Sequence, residues 1–287
     1  MASKVFFTRK ITPEAVAELY KMLDIELGGE VAIKVHSGEK GNQNFLRAPF
    51  WKPVIDMVGG TVVECNTAYE GSRNTTAAHK QTLIDHGWAE LYKTEILDAE
   101  GPDLELSMPY GKKINKNFVG KGIEKYDSLL CLSHFKGHPM GGYGGAIKQL
   151  SIGFASSYGK QYIHGVGVTE DFWNSDHDSF LMSMADAAKS VADFFGGGAA
   201  YINVMANMSV DCDCCAVAED PCIADIGILA SLDPVAIDKA CLDLVYKTDD
   251  KGKGHLIKRI ESRNGGLTPK AAADIGLGSL EYDLIEV

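Results

Sequence analysis

Nowhere in the sequence does an apolar run approach the roughly 18 residues that a membrane helix needs. Even Ile223 to Leu232 is interrupted by Asp225 and Gly227. Basic charge is also scarce. Lys and Arg number 28 against 39 Asp and Glu, a formal net charge of −11, the wrong sign for a partner built on phosphates. Nucleic acid and membrane surfaces are therefore not expected partners. The N-terminal Met-Ala-Ser-Lys-Val-Phe-Phe-Thr-Arg-Lys has too short an apolar stretch for a secretory signal, and the expectation is a cytoplasmic protein. An even cysteine count is lacking too. Seven cysteines without such a signal argue against a disulfide framework and for reduced thiols that pack, react or bind metal. Two common cofactor motifs are missing. A P-loop needs Gly before its Lys and Ser or Thr after it, whereas Lys148 follows Ile147 and precedes Gln149, and no dinucleotide fingerprint occurs.

What is present is ordinary material for a folded protein: 287 residues, 45% apolar and 23% charged. The first half alternates short apolar runs with amphipathic segments, as β-α units on a mostly parallel sheet do. Lys4 to Thr8, Val31 to Val35 and Thr61 to Cys65 read as strands. Thr12-Pro13 reads as a helix start that runs to Gly28-Gly29, and helices are also expected over Pro53 to Val58 and Thr75 to His86. After an irregular Gly/Lys/Asn/Pro-rich stretch from Glu100 to Val119, the theme repeats. Ser128 to Ser133, Ala200 to Val204, Ile226 to Ala230 and Tyr282 to Val287 read as strands. A short helix near Gly145, a strong one from His177 to Phe195 and another capped by Asp233-Pro234 separate them. The expected fold is α/β, with mostly parallel sheet flanked by helices, in two lobes, 1–119 and 120–287, with a crevice between them. One continuous domain is the alternative.

Chemistry concentrates in two segments. Cys131-Leu-Ser-His134-Phe-Lys136-Gly-His138-Pro-Met-Gly-Gly142-Tyr-Gly144-Gly145-Ala-Ile-Lys148 follows a predicted strand, where open α/β sheets place their ligand crevices. Gly137 and Pro139 rule out a helical pair of metal-binding histidines and put both on a loop. The plain alternative is a glycine-rich turn with surface histidines. In Asp211-Cys212-Asp-Cys214-Cys215-Ala-Val-Ala-Glu-Asp-Pro-Cys222, four thiols fall close enough together for a soft metal or an iron-sulfur cluster to neutralise them. The spacing matches neither the bacterial ferredoxin run nor paired zinc knuckles, and reduced cysteines without a ligand are the alternative. Cys65, Cys131 and Cys241 stand alone in apolar stretches and read as buried packing residues. His36, Lys34 and Arg73 follow predicted strands and can join the same crevice. Asp238, one turn into its helix, can face a cleft.

Taken together, Ile33-Lys-Val-His36-Ser-Gly-Glu, Tyr69-Glu-Gly-Ser-Arg73, His134 through Lys148, Cys212-Asp-Cys214 and Asp225 through Asp238 resemble the domain-of-unknown-function 362 family. Its members are often labelled iron-sulfur-centre proteins, and many carry a ferredoxin-like insert. Gly159 to Asp178 contains no cysteine, so a cluster here would use the Cys212 group. The chain is more distantly similar to the nickel-pincer lactate racemase family. That resemblance implies His138 as a catalytic histidine before Gly142-Tyr-Gly144-Gly145, Lys148 as a cofactor tether and His164 as a nickel ligand. Ser72 precedes Arg73 where that family has a second catalytic histidine, so symmetric two-base racemisation is not implied.

Three readings follow from these residues. The first is a metal-dependent or iron-sulfur enzyme acting on a small anionic substrate by proton or hydride transfer, with His138 as acid or base, His134 or Lys136 assisting, and Arg73, Lys34 and His36 around the substrate. The expected cofactor is an iron-sulfur cluster; the alternative is nickel of the pincer type or zinc, held by Lys148, His164 and the glycines. The second is an iron-sulfur electron-transfer protein with a redox partner protein, its cluster on Cys212, Cys214, Cys215 and Cys222. The third is a non-catalytic metal-binding protein.

Overall fold

The computed structural model describes residues 2–101 and 103–287. One eight-stranded sheet carries the fold, in the order β12-β1-β11-β10-β7-β2-β3-β4. Its strands are β1 (Ser3–Thr8), β2 (Val31–Lys34), β3 (Thr61–Glu64), β4 (Thr94–Ile96), β7 (Ser128–His134), β10 (Ala199–Met205), β11 (Gly227–Ser231) and β12 (Tyr282–Glu286). Two small hairpins lie outside it: β5 (Leu104–Ser107) with β6 (Lys116–Val119), and β8 (Lys136–His138) with β9 (Gly142–Gly144). Within the large sheet only β11 runs antiparallel to its neighbours. The remaining pairs are parallel, as the strand-helix alternation requires.

Period-two alternation divides the central strands between two cores. Leu129 and Cys131 of β7 and Tyr201 of β10 face the helices His177–Phe194 and Pro234–Lys247, while Leu130, Leu132 and Ile202 face Pro13–Met22 and Lys52–Val58. The three isolated cysteines are buried as expected. Helix starts follow their caps: the Thr12 and Thr75 side chains accept from Ala15 N–H and Ala78 N–H, and Asp233 accepts from Val235 and Ala236 N–H. The first helix stops at Met22, short of Gly28, because Asp24 already adopts a left-handed φ of 50°.

Strands from both sides of residue 119 are hydrogen-bonded neighbours: β2 lies beside β7, and β1 lies between β11 and β12. The sheet is thus continuous across the expected boundary. Chain order reverses between β7 and β2, so their carboxyl ends diverge into a crevice at one edge of the sheet. Every site residue described below lies on or beyond that edge.

Candidate functional site

A cavity of about 240 Å³ opens at this edge. Eight expected site residues line it together: Lys34, His36, Arg73, His138, Lys148, His164, Cys214 and Cys215. Tyr69, Met140, Ile152 and Trp173 give it apolar surface. The histidine segment is not a loop, as its Gly and Pro content suggested, but the tight hairpin β8–β9, with Lys136 opposite Gly144 and His138 opposite Gly142. Its three-residue strands are too short to show alternation.

His138 has a fixed orientation. Its Nδ1 accepts from the backbone N–H groups of Met140 at 3.1 Å and Gly141 at 2.8 Å. The proton of the neutral ring is therefore on Nε2, which lies 3.8 Å from Cys214 Sγ. Burial, with Lys148 adding repulsion, lowers its pKa. His138 faces the cavity as a hydrogen-bond donor, suited to negative charge on sulfur or oxygen; acting as a base would require it to leave both backbone donors. His164 is the reverse case. Its Nδ1 donates to the Lys160 carbonyl at 2.7 Å, leaving an Nε2 lone pair, and burial pushes its pKa down to about 3. It stacks on Phe180 at 4.7 Å. A pinned Nδ1–H with a free Nε2 is how metal-binding imidazoles are commonly oriented.

The expected assisting pair is engaged elsewhere. His134 places Nε2 2.6 Å from the Ala206 carbonyl and Nδ1 2.9 Å from Asp213 Oδ1, so both ring nitrogens donate within the protein. Lys136 Nζ lies 2.8 Å from Asp213 Oδ2. Neither residue lines the cavity. Burial raises the Asp213 pKa, but His134 and Lys136 outweigh burial and hold the group ionised.

Lys34 and Arg73 line the cavity but already have counter-charges. Lys34 Nζ is 2.6 Å from Glu64 Oε2, and Arg73 Nε is 3.0 Å from Glu39 Oε2. Their suitability for holding a substrate carboxylate is reduced accordingly. His36 stays neutral, because burial and then Arg73 drive its pKa well down. The glycines serve the protein's own packing. A Cβ on Gly145 would lie 2.4 Å from Asp238 Oδ1, Gly142 has φ +78° against Gly265, and none of Gly142, Gly144 and Gly145 lines the cavity.

All seven cysteines are free thiols. Among the described residues, one trio brings metal-donor atoms within 4.8 Å of one another: His138, Cys212 and Cys214. Cys212 Sγ accepts from the Cys214 backbone N–H at 3.4 Å and lies 3.9 Å from Lys148 Nζ. Burial opposes its ionisation, but the Cys214 thiol, Lys148, Lys136 and His138 prevail, and its pKa falls well below the ordinary thiol value. Cys215 joins Cys214 at the cavity wall, whereas the Cys222 thiol donates to the Met208 carbonyl at 3.5 Å and stands outside the trio.

Four contributors were not singled out from sequence. Glu39, Glu64 and Asp213 are the buried counter-charges, and Lys160 lines the cavity. Asp213 stands between two cysteines in a run whose thiols draw attention away from it.

A family described as Domain of unknown function (DUF362) matches residues 31–243. The chain belongs to that family. The matched span of this DUF362 chain contains every site residue named above. No curated protein matches it. Among solved structures, it is similar to the lactate racemase apoprotein from Thermoanaerobacterium thermosaccharolyticum, with 16% identity and a TM-score of 0.44 over 69% of this chain and 50% of that one. A protein from Thermotoga maritima is similar at 9% identity and a TM-score of 0.45, over 92% of this chain and 59% of that one. The DUF362 chain thus spans between half and three fifths of these two solved chains. No helix among the described residues is long and apolar enough to cross a membrane.

Proposed function

We infer that this chain is a metal-dependent enzyme acting on a small anionic substrate by proton or hydride transfer, with Cys212 and Cys214 holding the metal at the cavity wall. One observation carries the reading: a readily ionised thiol and its neighbour stand beside Lys148, which has no carboxylate partner among the described residues, at the edge of a partly apolar cavity. The donor set fits a soft divalent ion such as zinc or nickel. His164 offers a free lone pair to the same cavity. His138 presents an N–H instead, which suits it to steadying a thiolate or a substrate oxygen rather than to ligation. When bound, the metal would act as a Lewis acid on a substrate oxygen. Lys148 would draw in the anion, and Trp173, Ile152 and Met140 would limit water around it.

The geometry favours one metal ion over the four-cysteine iron-sulfur cluster, because Cys222 would first have to leave the Met208 carbonyl. The test is metal and acid-labile sulfide analysis of protein purified without oxygen and reconstituted with zinc, nickel or iron. The expected result is one zinc or nickel per chain without sulfide, retained in Cys222→Ser and lost in Cys214→Ser. Iron with sulfide that depends on Cys222 would overturn it in favour of an electron-transfer protein with a redox partner. Failure to bind any metal would overturn it as well.

A further inference from the structure

Four Lys and Arg side chains line the cavity, and two have carboxylate partners: Lys34 with Glu64 and Arg73 with Glu39. Lys148 and Lys160 have none within 4.0 Å among the described residues. Lys148 Nζ lies 3.9 Å from the Cys212 thiol. Lys160 is only 6% exposed, and its ammonium makes one hydrogen bond among the described residues, to the Ala155 carbonyl at 2.5 Å. Asp98, on the neighbouring turn, is engaged by the backbone N–H groups of Asn66 and Ser157. Burial lowers the Lys160 pKa, with Cys65 and Asp98 acting against it. An ammonium with one carbonyl partner is costly to bury, and a ligand that brings negative charge removes the cost.

The two unpaired lysines both line the cavity. Lys148 Nζ lies beside the Cys212 thiol, while Lys160 Nζ is held at the Ala155 carbonyl. Ile152 and Tyr69 supply apolar lining. We propose that Lys160 is a substrate-binding residue and that the cavity takes a short dicarboxylate, with one carboxylate at Lys160 and the other at Lys148. The inference rests on the cavity being the substrate site but not on the metal. Lys160 reaches the cavity because Ser156 caps its helix, Ser157–His164, by accepting from Gly159 N–H, and His164 closes the helix over the Lys160 carbonyl.

Isothermal titration of the chelator-treated full chain with succinate and glutarate, against butyrate and pentanoate as monocarboxylates of equal length, tests it. The dicarboxylates should bind at least tenfold more tightly. Lys160→Met should lower dicarboxylate affinity at least tenfold and abolish that preference, while Lys160→Arg should restore part of it. Thermal melting of each variant confirms folding. Equal affinity for both classes, or an undiminished preference in Lys160→Met, would overturn the proposal. Since no metal is present, failure here is distinguishable from failure of the metal reading, which metal content decides.

Discussion

The cavity has two kinds of wall. Along one, Lys34 and Arg73 are matched by Glu64 and Glu39, as His134 and Lys136, outside the lining, are by Asp213. Along the other, Lys148 and Lys160 have no carboxylate within 4.0 Å among the described residues; Lys148 stands beside the Cys212 thiol and Lys160 donates to a backbone carbonyl. All of these cations stand near the same sheet edge, so position alone does not separate them. Their partners do. A matched buried cation is part of the scaffold, and its removal leaves a carboxylate stranded, whereas an unmatched one is held at a cost and is available to a ligand.

Changes on the matched wall offer the largest tests of this contrast. Glu64→Gln leaves the fully buried Lys34 ammonium without its counter-charge, and urea unfolding should show a loss of about 3–5 kcal/mol. Asp213→Asn, which strands both His134 and Lys136, should fall in the same range. A loss below about 1 kcal/mol in either would remove the distinction between the walls.

Asp238 sharpens the comparison because it is buried with no salt-bridge partner among the described residues. Its carboxylate accepts from Ala146 N–H at 2.8 Å, Ile147 N–H at 3.0 Å and Asn203 Nδ2 at 2.7 Å, tying the Lys148 helix to β10. Burial raises its pKa from 3.8 to about 6, with these donors acting against the rise. The folded chain therefore binds this proton more tightly than the unfolded one. The resulting stabilisation, about 3 kcal/mol by linkage, is fully present below pH 3.8 and lost as pH rises through 6. Glu64 and Asp213 have depressed values, so their contribution is present above the usual carboxylate range and lost as pH falls. Asp238→Asn should remove the pH 4–6 component from the stability profile, and Glu64→Gln should leave it in place. An unchanged slope in Asp238→Asn would show that the carboxylate titrates normally.

The smallest stability effect is expected on the unmatched wall. Lys148→Met should change unfolding free energy by no more than about 1 kcal/mol, because no carboxylate is stranded. Its affinity for succinate should nevertheless fall at least tenfold. A loss of several kcal/mol in urea unfolding would place Lys148 in the scaffold.

Much of the fold was legible because its signals are local. Thr12-Pro13 and Asp233-Pro234 marked helix starts, and the apolar runs marked β2, β3, β7, β10 and β11. The β8–β9 hairpin was not legible, since Lys-Gly-His and Gly-Tyr-Gly carry no apolar alternation. The crevice and most of its lining followed from histidines, cysteines and basic residues placed after strands. Their division of labour did not. That Asp213 holds His134, or that Glu64 holds Lys34, depends on pairs 79 and 30 residues apart, and no local pattern records such a contact. Lys160 lies within an ordinary helical segment, and only burial sets it apart from a surface lysine.

X-ray absorption at the metal edge of protein reconstituted without oxygen tests the central claim most directly, because it counts the sulfur atoms around the metal. Two sulfur neighbours, at ~2.3 Å for zinc, with nitrogen or oxygen completing the shell, are predicted, and Cys214→Ser should remove at least one. A shell without sulfur, or an iron shell of sulfurs with a second iron behind it, would contradict the account.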